Sequence, residues 1–148
     1  IKKHLAVQTI GFDKLNQLRH VKYFGTADGI RAHMADLASR LRPKFDVVLN
    51  TLEKEIGDSG FATWMKPKGG YFIAVDTLPG CAKATVALAK EAGVVLTPAG
   101  ATYPYGKDPQ DSNIRIAPSY PTIEELTQAM ELFCLCVQLA GVNKLLEI

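Results

Sequence analysis

The sequence predicts an α+β fold, a small and mostly antiparallel sheet of about three strands covered by helices, including one long N-terminal helix. Three observations predict it. Apolar residues step by three or four from Ile30 to Ile56, the period of a helix with one buried stripe. Short β-rich runs bounded by Gly and Pro follow it, and a second long apolar-faced helix closes the chain. With 148 residues and 47% hydrophobic side chains, there is enough material for one compact core.

Asp13 is placed to cap a short helix over 14–23, with Leu15, Leu18 and Val21 on one face. From Asp28 the stripe Ile30, Met34, Leu37, Leu41, Phe45, Val48, Leu49, Leu52 and Ile56 describes a helix of about 27 residues and ~40 Å, the kind that braces a sheet. Gly57 and Gly60 end it. Pro43 lies inside it and removes a backbone donor, which predicts a kink over 40–43 or a fresh helix there. Residues 71–76, Tyr-Phe-Ile-Ala-Val-Asp, enter through Pro67-Lys68-Gly69-Gly70 and leave through Pro79-Gly80, which reads as a strand. Residues 82–92 read as a helix stopped at Gly93, and 94–97, Val-Val-Leu-Thr, as a second strand. After a loop with Pro98, Pro104, Gly106 and Pro109, residues 113–117 read as a third strand. Thr122 and Glu125 form the T-x-x-E box that opens the last helix, with Ile123, Leu126, Met130, Phe133, Val137 and Ala140 on its apolar face.

Composition excludes several functions. Seventeen basic against 15 acidic side chains leave a net charge of +2, with no basic stripe for nucleic acid or an acidic membrane. No apolar run approaches the roughly 20 residues of a membrane span. The chain opens Ile1-Lys2-Lys3-His4, without an initiator Met or a signal-peptide core, so it is expected to be a piece of a longer protein. Cys81, Cys134 and Cys136 make no disulfide framework, and His4, His20 and His33 lack ligand spacing, so no metal site is expected. The phosphate-loop template fails, because five residues separate Gly100 from Gly106 where four are required and Asp108 follows Lys107 in place of Ser or Thr.

Arg115 is the most informative residue. In a strand, Ile114 and Ile116 point into the core while Arg115 and Ala117 project from the other face. Its planar fork suits bidentate capture of a carboxylate, worth on the order of 1.5–3 kcal/mol; the alternative is an ordinary arginine on an exposed sheet face. Gly69 and Gly70 before an aromatic pair either admit a ligand closely, with Tyr71 and Phe72 as a wall, or simply turn the chain into the strand.

Together, Pro67-Lys68-Gly69-Gly70-Tyr71-Phe72, then Glu91-Ala92-Gly93-Val94 leading to Thr97-Pro98-Ala99-Gly100, then Asn113-Ile114-Arg115-Ile116-Ala117-Pro118-Ser119, resemble the C-terminal small domain of fold-type I pyridoxal-phosphate-dependent aminotransferases. Residues 10–20, Ile-Gly-Phe-Asp-Lys-Leu-Asn-Gln-Leu-Arg-His, are similar to a segment of a bacterial aspartate aminotransferase subgroup in which Pro is usual where Phe12 stands.

The resemblance implies an enzyme that moves an amino group from an amino acid to a 2-oxo acid, aspartate to 2-oxoglutarate, through pyridoxal 5'-phosphate as electron sink. It implies that Arg115 grips the substrate α-carboxylate and that Gly70 and Tyr71 line the substrate entrance, whereas Asn113 and Ser119 match motif positions without an assigned role. Residues 26–148 would form the small domain, and 1–25 a remnant of the large domain or the interdomain linker. It further implies a cytoplasmic homodimer whose large domain supplies the Schiff-base lysine and the cofactor-binding residues, leaving none of them here and this stretch inactive alone. Lys54 and Lys66 each follow a Thr by three residues, a loose echo of an imine-lysine pattern on a helix and beside the glycine pair. The competing expectation is a non-catalytic α+β ligand-binding or interaction domain.

Overall fold

The computed structural model describes residues 1–8 and 13–146. Ile10, Gly11 and Phe12 of the N-terminal resemblance lie outside the described residues. The order is α1 (Lys2–Gln8), α2 (Lys14–Phe24), α3 (Ala27–Ile56), β1 (Ala62–Trp64), β2 (Ile73–Thr77), α4 (Ala82–Glu91), a 3₁₀ turn (Pro104–Gly106), β3 (Asn113–Ile116) and α5 (Ile123–Leu146). The chain groups into two compact units, 1–40 and from Leu41 onward, the division falling within α3.

In the first unit, Asp13 caps α2 as anticipated, its carboxylate accepting the Asn16 N–H at 2.8 Å. The apolar side of α2 is bare: Leu15, Leu18 and Val21 are exposed, as is Met34 early in α3. The Phe24 ring packs against those of His20, Tyr23 and His33 in tilted and edge-on arrangements.

The second unit holds the core. Val48, Leu52 and Ile56 from the C-terminal half of α3 pack with Ile73 and Val75 of β2, Ile114 and Ile116 of β3, and Leu126, Met130, Phe133 and Val137 of α5. The apolar stripe of α3 is thus continuous in sequence but buried only toward its C-terminal end. α3 continues through Pro43 without a fresh start, and Lys44 Nζ donates to the carbonyls of Ser119 and Pro121 at 2.8 and 2.6 Å.

The sheet is antiparallel in the order β1-β2-β3, so the α+β class and the three strands stand, but their membership differs. Residues 94–97 form no strand. Val94 N–H is spent on the Ala89 carbonyl at 2.8 Å, closing α4, and no neighbouring strand among the described residues offers the ladder that a β-rich composition requires. The third strand is instead β1, whose three residues after Gly60 are too short to signal themselves by alternation. The strand expected to start at Tyr71 starts at Ile73, because its partner β3 ends with Ile116 opposite Ile73 and Tyr71 and Phe72 belong to the connection.

α5 also corrects the membrane argument. It is one helix long and apolar enough, by length and composition alone, to cross a membrane. Glu131, Gln138, Asn143 and Lys144 break any continuous run, yet the average stays high. The apolarity has a local use, since Leu126, Met130, Phe133, Cys134, Val137 and Ala140 of this helix are buried, the pattern of a core helix.

Candidate functional site

Alternation along β3 sorts its side chains. Ile114 and Ile116 are 1% and 3% exposed and face the core, while Asn113 and Arg115 share the outer face. On β2 the register sets Ala74 opposite Arg115 and Asp76 opposite Asn113. Ala74 leaves room beside Arg115, and the guanidinium lies over the Phe72 ring, its Cζ 4.4 Å from the centroid, a cation–π geometry.

Among the described residues the Arg115 side chain makes no hydrogen bond or ion pair, and its Nε is buried without a partner. A half-buried, always-charged fork with unmet donors is a site for an anion, and a planar carboxylate matches its two parallel N–H groups. Arg115 also lines a cleft of about 630 Å³ with residues 94–97, Tyr120 and the α5 residues Leu126, Met130 and Phe133.

The other sequence candidates are less well placed. Gly70 takes φ +89° with nothing within 4 Å of where a Cβ would stand, so the turn into β2, not close approach, requires glycine there. Tyr71 is exposed. Neither lines the cleft, and the aromatic that meets Arg115 is Phe72. Phe72 was expected only as one of an aromatic pair walling a ligand, and neither Asp76 nor the linking role of Asn113 was legible in the sequence; the period-two alternation that singled out Arg115 would have placed all of them on its face, had the pairing of the strands been known.

The lysines echoing an imine motif are committed elsewhere. Lys54 Nζ donates to Glu55 at 2.6 Å and Lys66 Nζ to Glu53 at 3.2 Å, both exposed, and the Glu55 hydrogen bond raises Lys54 above its ordinary 10.5, further from a neutral nucleophile. Burial pushes the Cys134 thiol up to about 12, helped by Glu55 and Glu131, which keeps it protonated and unreactive. Among the described residues no three His, Cys, Asp or Glu side chains gather as a metal site. An arginine, a phenylalanine ring and an Asn–Asp pair around Arg115 do not fit pyridoxal phosphate as its cradle, because no amine stands among them to form the imine.

A small antiparallel sheet braced by two long helices, with an arginine beside a cleft whose guanidinium has no polar partner among the described residues, defines an α+β domain. The family model described as Aspartate amino-transferase matches residues 1–148. The chain is 48% identical over 138 residues to the aspartate aminotransferase of Corynebacterium glutamicum, covering 93% of this chain and 32% of that enzyme. It superposes on the crystal structure of an aspartate transaminase from C. glutamicum with a TM-score of 0.88 at 46% identity, covering 96% of this chain and 34% of that one. The fold extends to LysN, the α-aminoadipate aminotransferase of Thermus thermophilus complexed with N-(5'-phosphopyridoxyl)-L-leucine, with a TM-score of 0.72 at 16% identity, covering 93% of this chain and 34% of that one.

The chain belongs to the aspartate aminotransferase family. It spans about a third of the length of the curated relatives it matches. That these relatives are aminotransferases weighs against the non-catalytic alternative.

Proposed function

We propose that this chain is the C-terminal part of a pyridoxal-phosphate-dependent aminotransferase that passes the amino group of aspartate to 2-oxoglutarate, and that Arg115 binds the α-carboxylate of the substrate. One observation carries the reading: Arg115 stands half-buried beside a cleft with its Nε unpartnered. An unsatisfied buried donor costs free energy, and a substrate carboxylate repays that cost on binding. The Phe72 ring, 4.4 Å from the guanidinium carbon, supports the arginine through a cation–π contact that leaves its N–H donors for the carboxylate. In this reading Gly70 and Tyr71 contribute to the substrate entrance, although neither lines the cleft beside Arg115. Residues 26–148 act as the small domain and 1–25 belong with the large domain or the linker.

Bound in the large domain, the cofactor supplies the electron sink for the bond changes at the substrate α-carbon. The residues present here do the recognition: Arg115 neutralises and orients the carboxylate, and the apolar cleft beside it limits water at the ion pair. In this reading the enzyme works as a homodimer and the present stretch alone is inactive. Replacing Arg115 with Lys in the full-length enzyme removes the bidentate pair, so kcat/KM for aspartate should fall by about tenfold to a hundredfold, the worth of one charge-assisted contact. Unchanged kinetics with aspartate would overturn the assignment.

A further inference from the structure

Arg115 shares its sheet face with an acid that it does not touch. The register sets Asp76 opposite Asn113 and Ala74 opposite Arg115, so Asp76 and Arg115 are diagonal cross-strand neighbours. Such positions are about 7–8 Å apart at the backbone, within reach of a long side chain. An arginine and a carboxylate so placed close on each other when both are free, and the bidentate pair that results would occupy the groups a substrate needs.

Two contacts separate them. Arg115 leans the other way, onto the Phe72 ring at 4.4 Å. Asp76 is engaged by Asn113, whose Nδ2 donates to Asp76 Oδ1 at 2.6 Å, while Asn113 Oδ1 accepts the Thr102 hydroxyl at 2.7 Å. Asn113 is itself fixed in place, since its backbone N–H donates to Asp108 Oδ2 at 2.8 Å. An amide suits this position because it donates to one neighbour and accepts from the other; a carboxylate there would repel Asp76, and an apolar residue would release it.

We propose that Asn113 is a positioning residue: by holding Asp76 it withholds the neighbouring carboxylate from Arg115 and keeps the guanidinium open to the carboxylate of the substrate. The proposal rests on the reading of Arg115 given above, and the roles of the two residues separate experimentally.

The test measures kcat and KM for L-aspartate in the full-length enzyme carrying Asn113→Ala, the same change with Asp76→Asn, and Arg115→Lys. Asn113→Ala should raise KM about tenfold with a much smaller change in kcat, because the released acid competes with substrate for Arg115. Adding Asp76→Asn should return KM to within about twofold of the parent, since the competitor has lost its charge. A purely structural role for Asn113 predicts no such rescue. Asn113→Ser, whose uncharged side chain is too short to hold Asp76, should show the same rise and the same suppression, and it decides the matter if the alanine variant does not fold. The proposal is overturned if Arg115→Lys raises KM while the Asn113 variants do not, or if Asp76→Asn fails to suppress them. If Arg115→Lys itself leaves KM unchanged, the carboxylate-binding role falls, and this inference with it.

Discussion

Arg115 owes its prominence to its neighbours in sequence and its availability to neighbours far from it. Ile114 and Ile116 anchor β3 in the core and turn the intervening side chain outward, which alternation alone makes legible. The absence of an ion pair depends on Asp76, Phe72 and Thr102, which lie 39, 43 and 13 positions away in the chain. Gly100 shows the same division. Its sequence context offered a failed phosphate-loop template and a place in a resemblance motif but no physical reason for glycine, whereas in the fold it is buried at φ +82° with a hypothetical Cβ 2.5 Å from the Gly106 carbonyl oxygen. A side chain there meets both a left-handed backbone and a rigid obstacle, so Gly100→Ala should cost about 1–3 kcal/mol. Urea unfolding of the purified variant checks this, and an unchanged midpoint would contradict it.

At the scale of elements, local chemistry succeeded where it is self-contained. The capping box at α5 closes reciprocally, Glu125 N–H donating to Thr122 Oγ1 at 3.2 Å and Thr122 N–H to Glu125 Oε2 at 2.9 Å. Thr122→Ala should therefore lower stability by about 0.5–2 kcal/mol, read from thermal unfolding. The approach to β3 is held by a device that no motif advertises. Asp108 accepts backbone N–H groups from Gln110, Ser112 and Asn113, and the Asn113 bond above all holds its carboxyl below the ordinary 3.8. A carboxylate with a depressed folded-state value adds stability above its unfolded value and loses it as pH falls through the folded one. Stability should thus decline below about pH 4, and Asp108→Asn should flatten that decline while weakening the protein at neutral pH. Acid titrations of the two proteins with the same slope would rule this out. Strands were less legible than helices for the opposite reason: residues 94–97 have the right composition but no ladder partner among the described residues, while β1 has a partner but only three residues.

For the molecule as a whole, exposed apolar area is the conspicuous property. Leu15 is 73%, Leu18 65% and Val21 67% exposed on α2, a helix with no buried residue, although their spacing is that of a face meant for burial. Monomeric proteins rarely leave such a patch open. The 148-residue chain on its own should therefore self-associate, and light scattering that finds a stable monomer at micromolar concentration would contradict this.

The sequence by itself determined the class of fold, the long helices and their caps, the outward direction of Arg115 and the family. Each of these depends on periodicity, on neighbours within a few residues, or on motifs kept in order along the chain. Tertiary structure decided which runs became strands, which half of α3 is buried, and why Arg115 is free. Those depend on register between segments tens of residues apart. A one-residue slip of β3 against β2 would carry Arg115 to the other face and leave no trace in the sequence.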